Sequence, residues 1–182
     1  MSEAIFDALC ACLGLDKTGA AAASLIREAY AEPENAPRLP RNRNVIYWTL
    51  LQDAGAPVRT AETLSEAGGT GRNTPVVYTT LNVLLIIVCY GPAAEEYAHR
   101  IRSMLYLDGS GFPRRILRDA GIFPVPDPPQ PVLLYEEEGS LWRRRADLTV
   151  PLRVRHEETG VARGSVRFTP AIILKTNHEL EG

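Results

Sequence analysis

Three consecutive carboxylates, Glu136, Glu137 and Glu138, stand a few residues ahead of Trp142 and three consecutive guanidiniums, Arg143, Arg144 and Arg145. Carboxylates in a row could ligate a hard cation or supply half of an acid pair. Such sites draw oxygens from several places along a chain, and no second acidic cluster at ligand spacing accompanies these. A solvated acidic run in a turn is the better reading. The arginine run beside an aromatic could hold nucleic acid. With acid just upstream and no net basic field, it reads more simply as a patch for a protein partner, with Trp142 as an anchor or as a core residue closing the next strand.

The remaining chemistry-bearing residues give less. His99 falls on the polar face of a helix, His156 at a strand end beside Glu157 and Glu158, and His178 in a terminal stretch. None stands in a motif with a Cys, Ser or Asp that would make it a base or a ligand. The segment "GGTGRN", Gly68 to Asn73, lacks the Lys and Ser/Thr of a phosphate loop and precedes a strand where such a loop opens a helix, so a hairpin turn is expected. Cys10, Cys12 and Cys89 are odd in number and lack metal spacing, which points to packing residues in a reducing compartment. No catalytic constellation, metal site or cofactor is expected.

The bulk properties narrow the class. The chain has 182 residues, 45% hydrophobic and 23% charged, as in an ordinary single globular domain. A formal charge of −2 offers no basic field for nonspecific nucleic-acid binding. Arginine supplies nearly all the positive charge, Lys17 and Lys175 being the lysines. The start "MSEAIFDALCACLGL" has no basic leader, and the run Val83 to Tyr90 is far shorter than the roughly 20 residues of a membrane span. A soluble protein made in the cytoplasm is expected.

The elements that would position these residues follow from periodicity. Ile5, Phe6, Leu9, Cys10 and Leu13 mark a first helix with Ser2 as cap, and "AAASLIREAY" reads as a second. Residues 31–42 are a proline-broken loop leading to a strand at Val45 to Trp48. The polar stretch 55–73 reads as a long hairpin arm or loop. Thr74 to Gly91 reads as one long strand, half-exposed first and apolar on both faces after.

Pro92, Glu95 and Glu96 suit the start of a helix. Its apolar stripe is Ala94, Tyr97, Ala98, Ile101, Met104 and Leu105, with Glu95, Glu96, His99, Arg100, Arg102 and Ser103 facing away. A short helix from Pro113 ends near Gly121, and "FPVPDPPQP" is a bridge without regular structure. From Trp142, Ala146, Leu148, Val150, Leu152 and Val154 alternate with Asp147, Thr149, Pro151, Arg153 and Arg155, a half-buried strand that Pro151 puts at or near an edge. "GSVRFTPAIILKT" supplies one or two last strands. The expected fold is α+β: a mostly antiparallel sheet of about four or five strands, helices packed on one face, and a long projecting hairpin or loop. Residues 1–30 form an N-terminal helical segment, 31–176 the core and 177–182 a tail of one domain.

Four stretches together resemble the neck or tail-terminator proteins of tailed bacteriophages: "NAPRLPRNRNVIYWTL", "VCYGPAAEEYAHRIRSMLY", "LRDAGI" and "EEEGSLWRRRADLTVPLRV". The resemblance spans roughly Asn35 to Val154. Its most specific element is the strand turning through Tyr90, Gly91 and Pro92 into an acidic-headed helix, followed by the Trp142 and Arg145 entry to the next strand. It implies a structural virion protein, synthesised in the host cytoplasm and placed in the tail or neck. It implies a homo-oligomeric ring, a hexamer, at the head-proximal end of the tail, ending tube or sheath polymerisation and joining a head connector. Tail tube or sheath protein and the connector would be its partners, with DNA only passing through the lumen and no membrane or cofactor involved. Interface candidates are Arg143, Arg144, Arg145 and Trp142, Glu95 and Arg102 on the helix, and Arg59 and Arg72 on the arm. The competing readings are another connector or baseplate component, a nucleic-acid-binding module and, with least support, an enzyme.

Overall fold

Residues 1–29, 42–52, 59–66, 73–107, 111–138 and 141–159 are described by a computed structural model, with side chains except at 59–78, 138, 141 and 157–159. In chain order the elements are α1 (Ser2–Leu13), α2 (Ala20–Leu25), β1 (Ile26–Glu28), β2 (Val45–Gln52), β3 (Arg59–Glu66) and β4 (Asn73–Tyr90). They continue with α3 (Ala94–Tyr106), α4 (Phe112–Asp119), β5 (Ile122–Pro124), β6 (Val132–Glu138) and β7 (Leu141–Thr159). The fold is α+β, with a mostly antiparallel sheet.

The sheet is built on two long strands. β4 and β7 run antiparallel from Val76↔Thr159 to Tyr90↔Arg145. β2 and β3 share the other side of β4, with Val45↔Tyr90 at one end and Arg59↔Thr80 towards the other. β1 adds to β2 in parallel, and β5 and β6 share the far side of β7. Alternation decides what is buried: Val83, Leu85, Ile87 and Cys89 of β4 and Ala146, Leu148, Val150, Leu152 and Val154 of β7 point one way into the core. Ile5, Leu9 and Leu13 of α1, Ala98, Ile101 and Leu105 of α3, and Leu117 of α4 join the same cluster. Dry apolar burial of this kind is the main favourable term in folding.

The turn between β4 and α3 is held by backbone. Gly91 has φ +104°, and a Cβ there would sit 2.8 Å from the Arg43 carbonyl and 2.9 Å from Asn44 Cα. Only glycine fits. Asn44 Oδ1 accepts the Ala93 N–H at 3.0 Å, satisfying an otherwise orphaned donor at the head of α3.

Several expectations are corrected. Among the described residues the sheet has seven strands because short ones hide in segments that look helical, proline-rich or polar. "AAASLIREAY" is helical only to Leu25, after which Ile26 to Glu28 pair with Ile46 to Trp48. β-branched Ile26 is buried there, and tertiary pairing outweighs local helix preference. The proline-rich bridge contributes Phe123 and Pro124 to β5, tolerable because β5 is an edge. Glu136 to Glu138 belong to β6 and not to a turn. Ser2 does not cap α1: Met1 occupies that position and the Ser2 hydroxyl donates to Glu28. Pro92 precedes α3, which starts at Ala94.

Pro151 lies inside the sheet, since β7 is paired on both sides. Its carbonyl accepts the Val125 N–H at 2.9 Å. A strand residue turns its nitrogen and carbonyl to the same side, so the missing donor faces the gap between β5 and β6, and the β4 ladder loses nothing. The expected strands within 164–176, the tail, and nearly all of the 31–42 loop lie outside the described residues.

Candidate interaction surface

The arginine run falls at the start of β7, where alternation splits it between the two sheet faces. Arg143 and Arg145 lie on the face away from the core, with their guanidinium carbons 4.5 and 5.7 Å from the Tyr90 ring centroid. Tyr90 in turn meets Tyr47 edge to face at 6.1 Å and donates its hydroxyl to Glu136 Oε2 at 2.8 Å. Arg145 also donates to Asp147 at 2.7 and 2.8 Å, which with Glu136 holds its charge firmly in place. Burial, and then the bond to Glu136, pushes the Tyr90 phenol up to about 12.

Arg144 points the other way and pairs with Glu95 at the head of α3. Arg102, further along α3, donates to the Pro129 carbonyl at 2.7 Å and so ties down the bridge. Of the expected interface residues, therefore, Arg144, Arg145, Glu95 and Arg102 have partners inside the chain. Trp142 does not pack into the core; it is 68% exposed. Arg59 is in β3 with its side chain undescribed, and Arg72 lies outside the described residues.

The sequence reading missed the strand opposite. β6 pairs Leu133 with Ala146, Tyr135 with Arg144 and Glu137 with Trp142. Directly paired residues share a sheet face, so Leu133, Tyr135, Glu137 and Trp142 form one strip. Val132 and Leu134 occupy the other face, and Val132 to Tyr135 are all exposed. Among the described strands β6 is thus an edge, with large apolar groups in water on both faces, a feature that single-chain proteins normally blunt. Its signal was present in "VLLYEEE", four apolar residues and three acids without alternation.

Catalytic geometry is not seen among the described residues. Among the described residues no group of three or more His, Cys, Asp and Glu is placed to hold a metal. The three cysteines are buried and not joined in disulfides, and burial pushes Cys89 up to about 12. A cleft of about 360 Å3 between α1, α2, β1 and β2 is lined by Phe6, Ala23, Ile26 and Trp48 with Ser2, Glu3 and Glu28 as its polar side chains. No helix among the described residues is long and apolar enough to cross a membrane.

A family model described as phage neck terminator protein matches residues 3–177. The chain belongs to that family. The match extends beyond the stretches that carried the sequence resemblance and takes in α1 and the proline-rich bridge. No curated protein matches the chain. Membership in the neck terminator family makes this a bacteriophage structural protein whose place is the virion neck, in contact with other virion proteins.

Proposed function

We propose that the protein is a tail terminator subunit that closes with copies of itself into a ring, a hexamer, at the head-proximal end of the tail. The ring ends polymerisation of the tube or sheath and offers its other surface to the head connector, with DNA passing through the lumen. The family match over residues 3–177 carries this reading. The sheet supports it. Helices cover one face, while the opposite face keeps Leu84, Ile86 and Val88 only half-buried, and the β6 edge is bare. Surfaces of this kind are normal where a subunit is completed by its neighbours. Subunits made in the host cytoplasm would join the tail there, without enzymatic action.

Native mass spectrometry across a concentration series, with negative-stain imaging, tests the ring. A closed species, six copies in the expected case, supports terminator function, as does end-binding to purified tails by a chain that is monomeric alone. Failure of both would reject the reading.

A further inference from the structure

We propose that neighbouring subunits join head to tail, with the β6–β7 hairpin of one copy seated on α4 of the next. This rests on the ring reading and names the surface that would make the ring.

Both halves are on the surface and complementary. The hairpin strip is aromatic with an acidic end: Tyr135 is 67% exposed, Trp142 68%, and Glu137 lies beside Trp142. α4 is its counterpart, aromatic and basic. Phe112 at its start is 47% exposed with the Arg115 guanidinium 5.4 Å over its ring, and Leu107 just upstream is 66% exposed. Arg114 and Arg118, four residues apart, project from one side of the helix and are exposed. Buried aromatic anchors rimmed by opposite charges are the usual composition of a specific interface.

The two surfaces cannot meet within one copy. α4 runs directly into β5, which pairs with Leu152 to Val154, whereas the hairpin strip ends at Trp142. Ten residues of extended β7 separate Trp142 from Leu152, roughly 33 Å. Two different, complementary surfaces at opposite ends of a rigid strand make a heterologous contact, and a heterologous contact closes into a ring when its rotation permits. Isologous pairing of β6 with a two-fold-related β6 would close at a dimer and leave the aromatic, basic face of α4 uncovered. A second copy is therefore the occupant the charges favour.

The test is charge exchange. Wild type, Glu137→Arg and the Arg114→Glu/Arg118→Glu pair are compared for assembly, free or on isolated tails, each checked for an unchanged melting curve. Each reversed variant alone should lose assembly by at least tenfold in concentration. An equimolar mixture of the two should recover it, because every hairpin in an alternating ring then faces an opposite charge. Wild-type assembly with both variants equally competent, or with no recovery in the mixture, overturns the assigned surface and leaves the ring reading standing. Failure of the wild type both to assemble and to bind tails overturns the ring reading and this contact with it.

Discussion

The Tyr90 hydroxyl donates to Glu136 across 2.8 Å, tying the last residue of β4 to the middle of the exposed edge strand β6. Between them lies Arg145, bonded to Glu136 and Asp147 and close over the Tyr90 ring. The bare hairpin is thus fixed at its base by a polar cluster on the sheet face away from the core. An exposed hairpin held this way would lose little entropy on docking. Tyr90→Phe keeps the ring beneath the arginines and removes only the hydroxyl. It should cost about 0.5 to 1.5 kcal/mol, a fall in melting temperature of a few degrees at this chain size, and should speed amide exchange in β6. Unchanged exchange in β6 would show that the bond does not hold the edge.

Gly91 makes a harder demand. Any side chain there combines positive φ with contact on the Arg43 and Asn44 backbone under 3.0 Å, which cannot yield as a flexible side chain would. Gly91→Ala should destabilise by about 3 kcal/mol, or about 6 to 12 °C. A calorimetric shift under about 2 °C would mean that the turn relaxes freely.

The Arg144–Glu95 pair changes what charge reversal can report. Both side chains are about two fifths exposed, so the pair should contribute no more than about 1 kcal/mol. Arg144→Glu places two carboxylates together at the head of α3 and weakens the monomer modestly. Arg144→Glu with Glu95→Arg should restore most of that loss. A double-mutant cycle in urea measures the coupling, and zero coupling would reduce the pair to coincident surface charges.

Raising the pH should loosen the fold in a defined window. Burial raises the Cys89 thiol from 9.0 to about 12, and the Tyr90 and Tyr106 phenols from 10.0 to about 12. Each group has a higher pKa folded than unfolded, so its stabilisation is complete below the unfolded value and is lost as pH climbs towards the folded one. Melting temperature should hold to about pH 9 and then fall towards pH 12. Cys89→Ala should shrink the loss between about pH 9 and pH 10 without abolishing it, because burial also raises the Cys10 thiol from 9.0, and the phenols begin only at 10.0. A melting temperature flat to pH 12 would contradict this account.

Periodicity made the larger elements legible, because burial there follows side-chain alternation. Ala146, Leu148, Val150, Leu152 and Val154 on β7 and Ala98, Ile101 and Leu105 on α3 are buried as their spacing implies. The short strands were illegible for a physical reason: β1 and β5 are only three residues each and exist through pairing with β2 and β7. Ile26 and Pro124 carry no local pattern that announces it. The surface was half legible. Arg143 to Arg145 and Trp142 stood out by composition, but only the register shows that Arg144 and Arg145 are anchored within the chain while Leu133 and Tyr135 are bare.

The arm supplies the last expectation. β3 pairs only with β4 among the described strands, from Arg59↔Thr80 to Glu66↔Asn73, while the buried cluster on β4 begins at Val83 among the described side chains. β4 also keeps β7 as a neighbour as far as Val76↔Thr159. Excising residues 58–73 should remove an edge strand's hydrogen bonds without opening the core, lowering the melting temperature by less than about 4 °C. If the arm contacts a neighbouring virion protein, the shortened chain will remain folded and lose binding to tails. Collapse of the melting transition would instead make β3 part of what holds the sheet together, and normal tail binding would remove the arm from the interface.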